Sequence, residues 1–565
     1  MTAPLPVNAS LRRSHHGEAP WLRFGWSSLD NWFEPAPQSR RRSLGLLLVF
    51  LAWLGGALSL AANHVMWRDE IRALSLALRG DTLADMPALA RGYGHPLLWH
   101  LLLRIGHDLT GSLTILPILA FSAAAGFVAL LGVSRLRLPL IALFALGGIA
   151  LYQYTVVARN YGVSVLLMFG FAALYPRLRE RGIWLGLILA LLCNTNVHSV
   201  VLAGALWLFW ALDMIRERGA GAAFRPLAIG GVLVATGVAL CAWSVFPPVE
   251  DAPGIEPMAP IARALMLIPG TGFARLWGNF FVNPALQLLA AALLIGSLGV
   301  FVRRPPALFA AAAALIGLQV VFACIYPGHY RHAALIVAFD LTLLWLSSSM
   351  VPSPGSPLVR RLERAGRIAF ALLLASQLAV SARAIANGAA GRPESAIAAV
   401  AARLDDAGLG DAIVITDPDT MGEALPYYSR NPTYSLRQHA FADVVGLKRT
   451  EATAVTPGRI LAEARRLRRE TGREVVMLLN EPLPPPGERR IGARGAYGDF
   501  IAEPADVAAF RGATAFLGAE RNATGDERFD LYRLRTRTLP QARSTGYAPH
   551  QRGHGGLPTG GIVRQ

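Results

Sequence analysis

The sequence predicts a multi-span α-helical membrane protein of about eleven transmembrane helices, followed by a small C-terminal α/β domain. Three observations carry this. Charged residues make up only 16% of the 565 positions, against about 25% in an ordinary soluble chain. The deficit lies in the first two thirds, where apolar runs recur near the roughly 20 residues that a helix needs to cross a bilayer core. From Asn387 onward charge returns, and helix-like and strand-like segments alternate.

The spans follow from hydropathy in order. The first is Leu44–Asn63. Next come Leu113–Val133, Leu138–Val157, Tyr161–Tyr175, Ile183–Asn194 and Val197–Ile215. Then follow Pro226–Phe246, Phe281–Val302, Ala307–Tyr326, His332–Met350 and Ile368–Ala386. Arginines orient them. Arg40, Arg41 and Arg42 place the segment 1–43 in the cytoplasm, and "RLRLP", "RLRERG", "IRERGAGAAFR", "VRRPP" and "VRRLERAGR" mark the other cytoplasmic connections. The opposite connections hold "ARNYG", "CNTNVHS", "PPVEDAPGIEPMAP" and "YPGHYRH". An odd number of spans then leaves the C-terminal region outside, on what would be a bacterial-type plasma membrane.

The same rule accounts for much of the net charge of +17. The chain holds no nucleic-acid-binding motif, so nucleic acid is not an expected partner. Cys193, Cys241 and Cys324 have neither disulfide nor metal spacing and read as small buried hydrophobes. The first apolar run reads as an uncleaved span, since no small-residue cleavage site follows it.

One loop departs from the charge rule. Residues 64–111, on the outer side, carry Arg68, Arg72, Arg79, Arg91 and Arg104. Guanidinium forks there fit a site that binds phosphate. The same loop opens with "MWRDE", which sets Asp69 and Glu70 at the exit of the first span. "HPLLWHLLLRIGHDL" is amphipathic and reads as a helix lying in the interface plane. Further ionisable or polar residues at outer boundaries are His95, Arg159, Tyr161, His198, His329, Tyr330, Arg331 and His332. Charge at membrane depth is costly and marks function.

These motifs together resemble the GT-C glycosyltransferases, which use polyprenyl-phosphate sugars and include protein mannosyltransferase and aminoarabinose transferase-type enzymes. The Asp69-Glu70 pair looks like the family's acidic signature past the first span. "GHPLLWHLLLRIGHDLTG" is similar to its "[HK]PPLY" element, with Leu97 where the second proline stands and His95 where a lysine is frequent. "ARNYGVSVLLM" and "YPGHYRHAALIVAFDLTLLWL" resemble later steps into spans. The likeness covers residues 44–386. It implies a GT-C-like fold and transfer of a hexose or pentose from a lipid phosphate to an envelope glycan, lipid or protein. Asp69 is then the general base and Glu70 its support. His95, Arg159, Tyr161, His198, His329, Arg331 and His332 are then donor phosphate or sugar ligands. No cofactor is implied beyond an optional divalent cation, Mg or Mn.

Other readings remain beside this one. Asp69 and Glu70 also suit a helix N-terminal turn. His198 also suits a hydrogen-bonded interfacial histidine, and Arg159 with Tyr161 a snorkelling pair. A polytopic transporter or flippase, or a non-catalytic scaffold, stays open. In the tail, "RPESAIAAVAARLDDAG" and "PGRILAEARRLRRETG" read as helices, "DAIVITDPD" and "REVVMLLN" as strands, and "RFDLYRLR" as an exposed or edge strand. They define an extracytoplasmic domain over 387–537. Asp417 and Asp419 mimic a metal-binding Asp-x-Asp but read better as turn formers. Residues 538–565 are basic, rich in Gly and Pro, and expected to be disordered.

Overall fold

A computed structural model describes residues 29–246, 284–326, 328–446, 454–492 and 498–535. The expectations for most of the N-terminal segment, for the long loop after Phe246 and for the basic tail fall outside the described residues.

Among the described residues, six helices are long and apolar enough to cross a membrane: Arg40–Ala62, Ile115–Val133, Tyr161–Leu178, Val197–Val245, Pro305–Cys324 and Pro357–Ala389. They expose large apolar side chains such as Leu47, Leu48, Leu51, Phe309 and Ile316. Such a surface suits lipid and is costly in water. This is a polytopic helical membrane protein. The remaining predicted spans are shorter or broken. Ile183–Cys193 has 11 helical residues and Leu335–Ser347 has 13. Pro284–Ser297 tightens into a 3-10 turn, Leu298–Phe301. Leu138–Ala145 gives way to a π-helical turn, Ile149–Gln153.

The long helix Val197–Val245 is a hairpin. Gly219 interrupts it at φ 79°, ψ 160°, a conformation open to glycine and strained for other residues. The halves then pack on each other. Trp207 Nε1 donates to the Leu227 carbonyl at 3.3 Å, and a Cβ on Gly230 would lie 2.4 Å from the Trp210 ring. The separate runs Val197–Ile215 and Pro226–Phe246 correspond to these two halves.

Leu335–Ser347 is buried along its whole length, as befits a helix that is apolar on nearly every side, Asp340 excepted, and forms the hub of a bundle. The predicted arginine-rich connections gather at one end of that bundle. There Arg42 donates to the carbonyls of Gly132, Ser134 and Leu136. Arg179 pairs with Asp213 and Glu217, and Arg303, Arg304 and Arg367 converge on Glu363.

The opposite end carries the α/β domain. Its sheet holds β1 (Ile413–Asp417), β2 (Thr433–Ser435), β3 (Ala440–Phe441), β4 (Val475–Leu479), β7 (Thr514–Glu520) and β8 (Phe529–Leu534). A separate pair is β5 (Arg490–Gly492) with β6 (Phe500–Ala502). The order is β3-β2-β1-β4-β8-β7, with β1 parallel to β2 and β4 and the other pairs antiparallel. The segment "RFDLYRLR" is therefore no edge strand: β8 lies between β4 and β7 and is almost wholly buried. Its alternation came from Asp530 and Arg533, which lie inside the strand and are covered by pairing with Arg521 and Glu474.

The domain shares a core with the first loop of the helical part. Ile71, Leu74, Trp99 and Leu103 pack in one cluster with Ile397, Leu404, Val476 and Leu531. That cluster fixes the helices Arg68–Ala77 and Leu98–Thr110 against the sheet, and so fixes the site.

Candidate functional site

The helix Arg68–Ala77 starts where Trp67 is extended (φ −114°, ψ 174°). Its second and third residues, Asp69 and Glu70, diverge. Glu70 turns inward and is 0% exposed. One carboxylate oxygen accepts the Ala158 N–H at 2.6 Å. The other accepts the Trp67 N–H at 3.3 Å and meets His64 Nε2 at 3.0 Å. Glu70 is thus a helix cap and a brace to two other segments, with no free face for substrate. This corrects its expected catalytic place.

Asp69 points the other way, 26% exposed. Its Oδ2 accepts from Arg331 Nη2 at 2.6 Å and lies 3.8 Å from Arg159 Nη1. Arg159 also donates to the Asp69 backbone carbonyl, and its Nη2 lies 3.3 Å from His95 Nε2. Four residues from three distant parts of the chain therefore form one contact series. Burial alone would raise the Asp69 pKa, but Arg331, Arg159 and Arg68 hold it well below the usual carboxylate range. Burial and then Arg159 push His95 well below the usual histidine value, so its imidazole is neutral at neutral pH.

Asp69 and Arg331 line a cavity of about 870 Å³ between the helical end and the α/β domain. Leu60, Val157, Val380 and Ala384 give it an apolar side. Arg392, Asn480, Thr524 and Arg528 come from the α/β domain. His329 and Tyr330 also line it, and Tyr330 donates its hydroxyl hydrogen to Gln377 Oε1 at 2.7 Å. Arg159 and His95 stand behind Asp69, outside that lining.

The other predicted ligands lie behind Arg331. His332 is buried, and its Nδ1 accepts the His329 N–H at 2.8 Å. The His198 ring lies 4.6 Å from the His332 ring and 5.5 Å from Phe322. Tyr161 stacks on Tyr154 at 5.8 Å and meets His332 edge-on at 5.4 Å. Tyr161, His198 and His332 thus form a packed aromatic bed rather than cavity wall. Among the described residues, neither nitrogen of His198 has a hydrogen-bond partner.

The five arginines of the first loop are corrected too. Each is spent on protein. Arg68 pairs with Asp526 and Glu527 of the α/β domain at 2.7 and 3.2 Å. Arg72 pairs with Glu423 at 2.5 Å and donates to the Val445 carbonyl. Arg79 donates to Tyr93 and the Val444 carbonyl. Arg91 donates to the Trp243 carbonyl. Arg104 holds the carbonyls of Arg79, Gly80 and Asp81 as well as Asp108. These cations dock a domain and staple a loop.

Asp417 and Asp419 hold their own loop. Asp419 accepts from Ser435 Oγ at 2.5 Å, the Arg437 N–H at 3.0 Å and Arg437 Nη1 at 2.9 Å. Among the described residues, no group of three or more His, Cys, Asp or Glu side chains is arranged to hold a metal ion. Cys193 and Cys241 are buried as expected, whereas Cys324 is exposed.

Three residues of this region were not singled out from sequence: His64, Tyr152 and Glu394. All three line the cavity. The only local signal was the polar "NH" after the first span; Tyr152 and Glu394 sit inside segments that read as span and helix. Comparison with family models, curated proteins and solved structures returned no match.

Proposed function

We propose that this protein is a membrane glycosyltransferase of GT-C type that moves a sugar from a polyprenyl-phosphate donor to an envelope acceptor. The observation that carries the reading is the Asp69 carboxylate on a cavity wall, gripped by Arg331 and backed by Arg159. A lipid phosphate competes for the same guanidinium forks. Once it draws them off Asp69, that carboxylate regains basicity and becomes the general base.

The acceptor O–H then loses its proton to Asp69 as the new O–C bond forms at the anomeric carbon. The old C–O bond breaks and its electron pair leaves on the phosphate, which Arg331 and Arg159 stabilise. A single displacement of this kind inverts the anomeric centre. The apolar wall at Leu60, Val380 and Ala384 suits a polyprenyl tail, and the α/β wall suits the acceptor. In this reading the chain crosses the membrane eleven times. The N-terminus is cytoplasmic, and the α/β domain faces outward from a bacterial-type plasma membrane.

The test is sugar transfer by the purified protein in nanodiscs, with a radiolabelled polyprenyl-phosphate sugar. Transfer that Asp69→Asn abolishes supports the reading. Full transfer by a folded Asp69→Asn protein sinks the base assignment, and absence of transfer by the wild type with every donor tried sinks the activity.

One observation favours a second reading, transport. Asp340 lies in the hub helix, 0% exposed, with neither carboxyl oxygen hydrogen-bonded among the described residues. A lone carboxyl at that depth is a hallmark of ion pathways. Lipid flipping or solute uptake in proteoliposomes that Asp340→Asn abolishes would favour transport over transfer.

A further inference from the structure

We infer that Glu394 is the residue that relieves Asp69 of its proton after each transfer and so resets the site; this rests on the sugar-transfer reading. The need for such a group follows from the geometry at Asp69. When the phosphate product leaves, Arg331 and Arg159 return to the carboxylate, and a carboxyl between two guanidiniums cannot keep a proton. Water and any carboxylate on the same cavity wall are the acceptors open to that proton.

Three carboxyl groups line that cavity: Asp69, Glu394 and Asp526. Asp526 makes a two-pronged pair with Arg68, at 2.7 and 2.8 Å. Glu394 makes no ion pair with an arginine among the described residues. Its surroundings instead suit a carboxyl that binds and releases a proton. Tyr152 lines the same cavity wall and bears on it. His64, at the end of the first span, and Arg331, in the later boundary segment, line the same cavity, and the charge of Glu70, bound to His64, also acts on it. Burial is the main influence and Glu70 adds to it; together they outweigh His64, Tyr152 and Arg331, so the carboxyl holds its proton more tightly than an ordinary glutamate.

Two further features are independent of charge. Tyr152 belongs to the π-helical turn Ile149–Gln153, a distortion that is common at functional sites. The Glu394 backbone is also fixed. Its carbonyl accepts the Gly525 N–H at 3.0 Å, and a Cβ on Gly525 would lie 2.4 Å from that oxygen. Thr524 N–H clamps the preceding carbonyl of Pro393 at 2.8 Å. The α/β domain thus delivers one defined carboxyl to the wall it shares with Asp69. Once protonated, Glu394 passes the proton to solvent at the cavity mouth, and the cycle balances.

The experiment compares wild type, Glu394→Gln and Glu394→Asp in nanodiscs, with the labelled donor at fixed pH. Glu394→Gln is expected to keep the single-turnover rate of transfer and to lose steady-state turnover by about 10²-fold or more. Added imidazole buffer should restore that turnover, and Glu394→Asp should retain it. Wild-type turnover in Glu394→Gln overturns the proposal. So does an equal loss in single-turnover and steady-state rates without buffer rescue, which marks a structural role. Infrared difference spectra read the carboxyl without any transfer. A protonated carboxyl band that vanishes in Glu394→Gln supports proton storage, and its absence across the pH range overturns it. A wild type that shows the band but transfers no sugar fails the parent reading instead.

Discussion

Arg331 Nη2 lies 2.6 Å from Asp69 Oδ2, across 262 positions of sequence. The same guanidinium sits 5.4 Å over the ring of Trp67, the residue immediately before the helix that carries Asp69. Arg331 is thereby aimed by a stacking contact and held by a carboxylate, both of which survive or yield when an anion arrives. Arg331→Gln should remove the main electrostatic support of the leaving phosphate and slow transfer by about 10²–10³-fold. Arg331→Lys should rescue little, because an ammonium cannot reproduce the planar fork or the stacking. Initial rates against donor concentration check both.

Glu70 should prove structural where Asp69 is functional. Glu70→Ala strips the partners from the buried Ala158 N–H and from His64, whose side chain is 3% exposed. Breaking a buried ion pair by removing one member costs about 3–5 kcal/mol. Asp69→Asn keeps the side-chain volume at a position still open to the cavity, and its cost should be much smaller. Thermal unfolding of the two variants in the same detergent separates them. A Glu70→Ala protein as stable as the wild type would overturn the bracing role.

Stability should fall as pH rises from 5 to 9.5. Burial alone would lower the His64 pKa, but the charge and hydrogen bond of Glu70 raise it to about 9. A histidine with a raised folded-state pKa contributes fully below its ordinary value of about 6.5, and the contribution is lost as pH climbs through 9. Glu527 is raised to about 7 by burial, against the pull of Arg68. Its share is full below the ordinary glutamate range and is lost as pH climbs through 7. Both signs agree. His64→Gln should flatten the upper part of the unfolding-midpoint curve, and Glu527→Gln the lower part.

The sequence carries local information well and long-range pairing poorly, and this site divides along that line. Asp69, Arg159, His95 and Arg331 were legible because each stands as a charge or imidazole beside an apolar run, where burial is costly. That Asp69 and Glu70 face opposite ways was not legible. Adjacent helical residues diverge by a fixed angle, but which one meets the cavity depends on where Ala158 and His64 come to rest. The loop arginines misled for a related reason. A cation outside the membrane signals a partner, and the partners here, Glu423, Asp526 and Glu527, lie more than 350 positions away. Glu394 carried no signal at all, since in sequence it opens an ordinary amphipathic helix. The apolar runs were found, but among the described residues six helices reach spanning length, and one of these, Val197–Val245, is two runs folded back at Gly219. Hydropathy records burial in apolar surroundings and does not distinguish a straight span from one broken by a π turn or a short helix.

The hairpin at Gly219 makes the sharpest claim about how the chain is threaded. If the halves of Val197–Val245 fold back on each other, residue 220 lies at the arginine-rich end and Thr524 at the end capped by the α/β domain. Both Ala220 and Thr524 are exposed. Single cysteines at these positions, on a background with the exposed Cys324 changed to serine, should react from opposite sides. A membrane-impermeant maleimide added to intact cells or spheroplasts should label Thr524→Cys, and should label Ala220→Cys only after permeabilisation. Arg361→Cys, on the arginine-rich end, should behave like Ala220→Cys. Labelling of Ala220→Cys and Thr524→Cys from the same side would mean that the second half does not return. In that case the packing of Trp207 and Trp210 on residues 227–230 does not exist in the membrane.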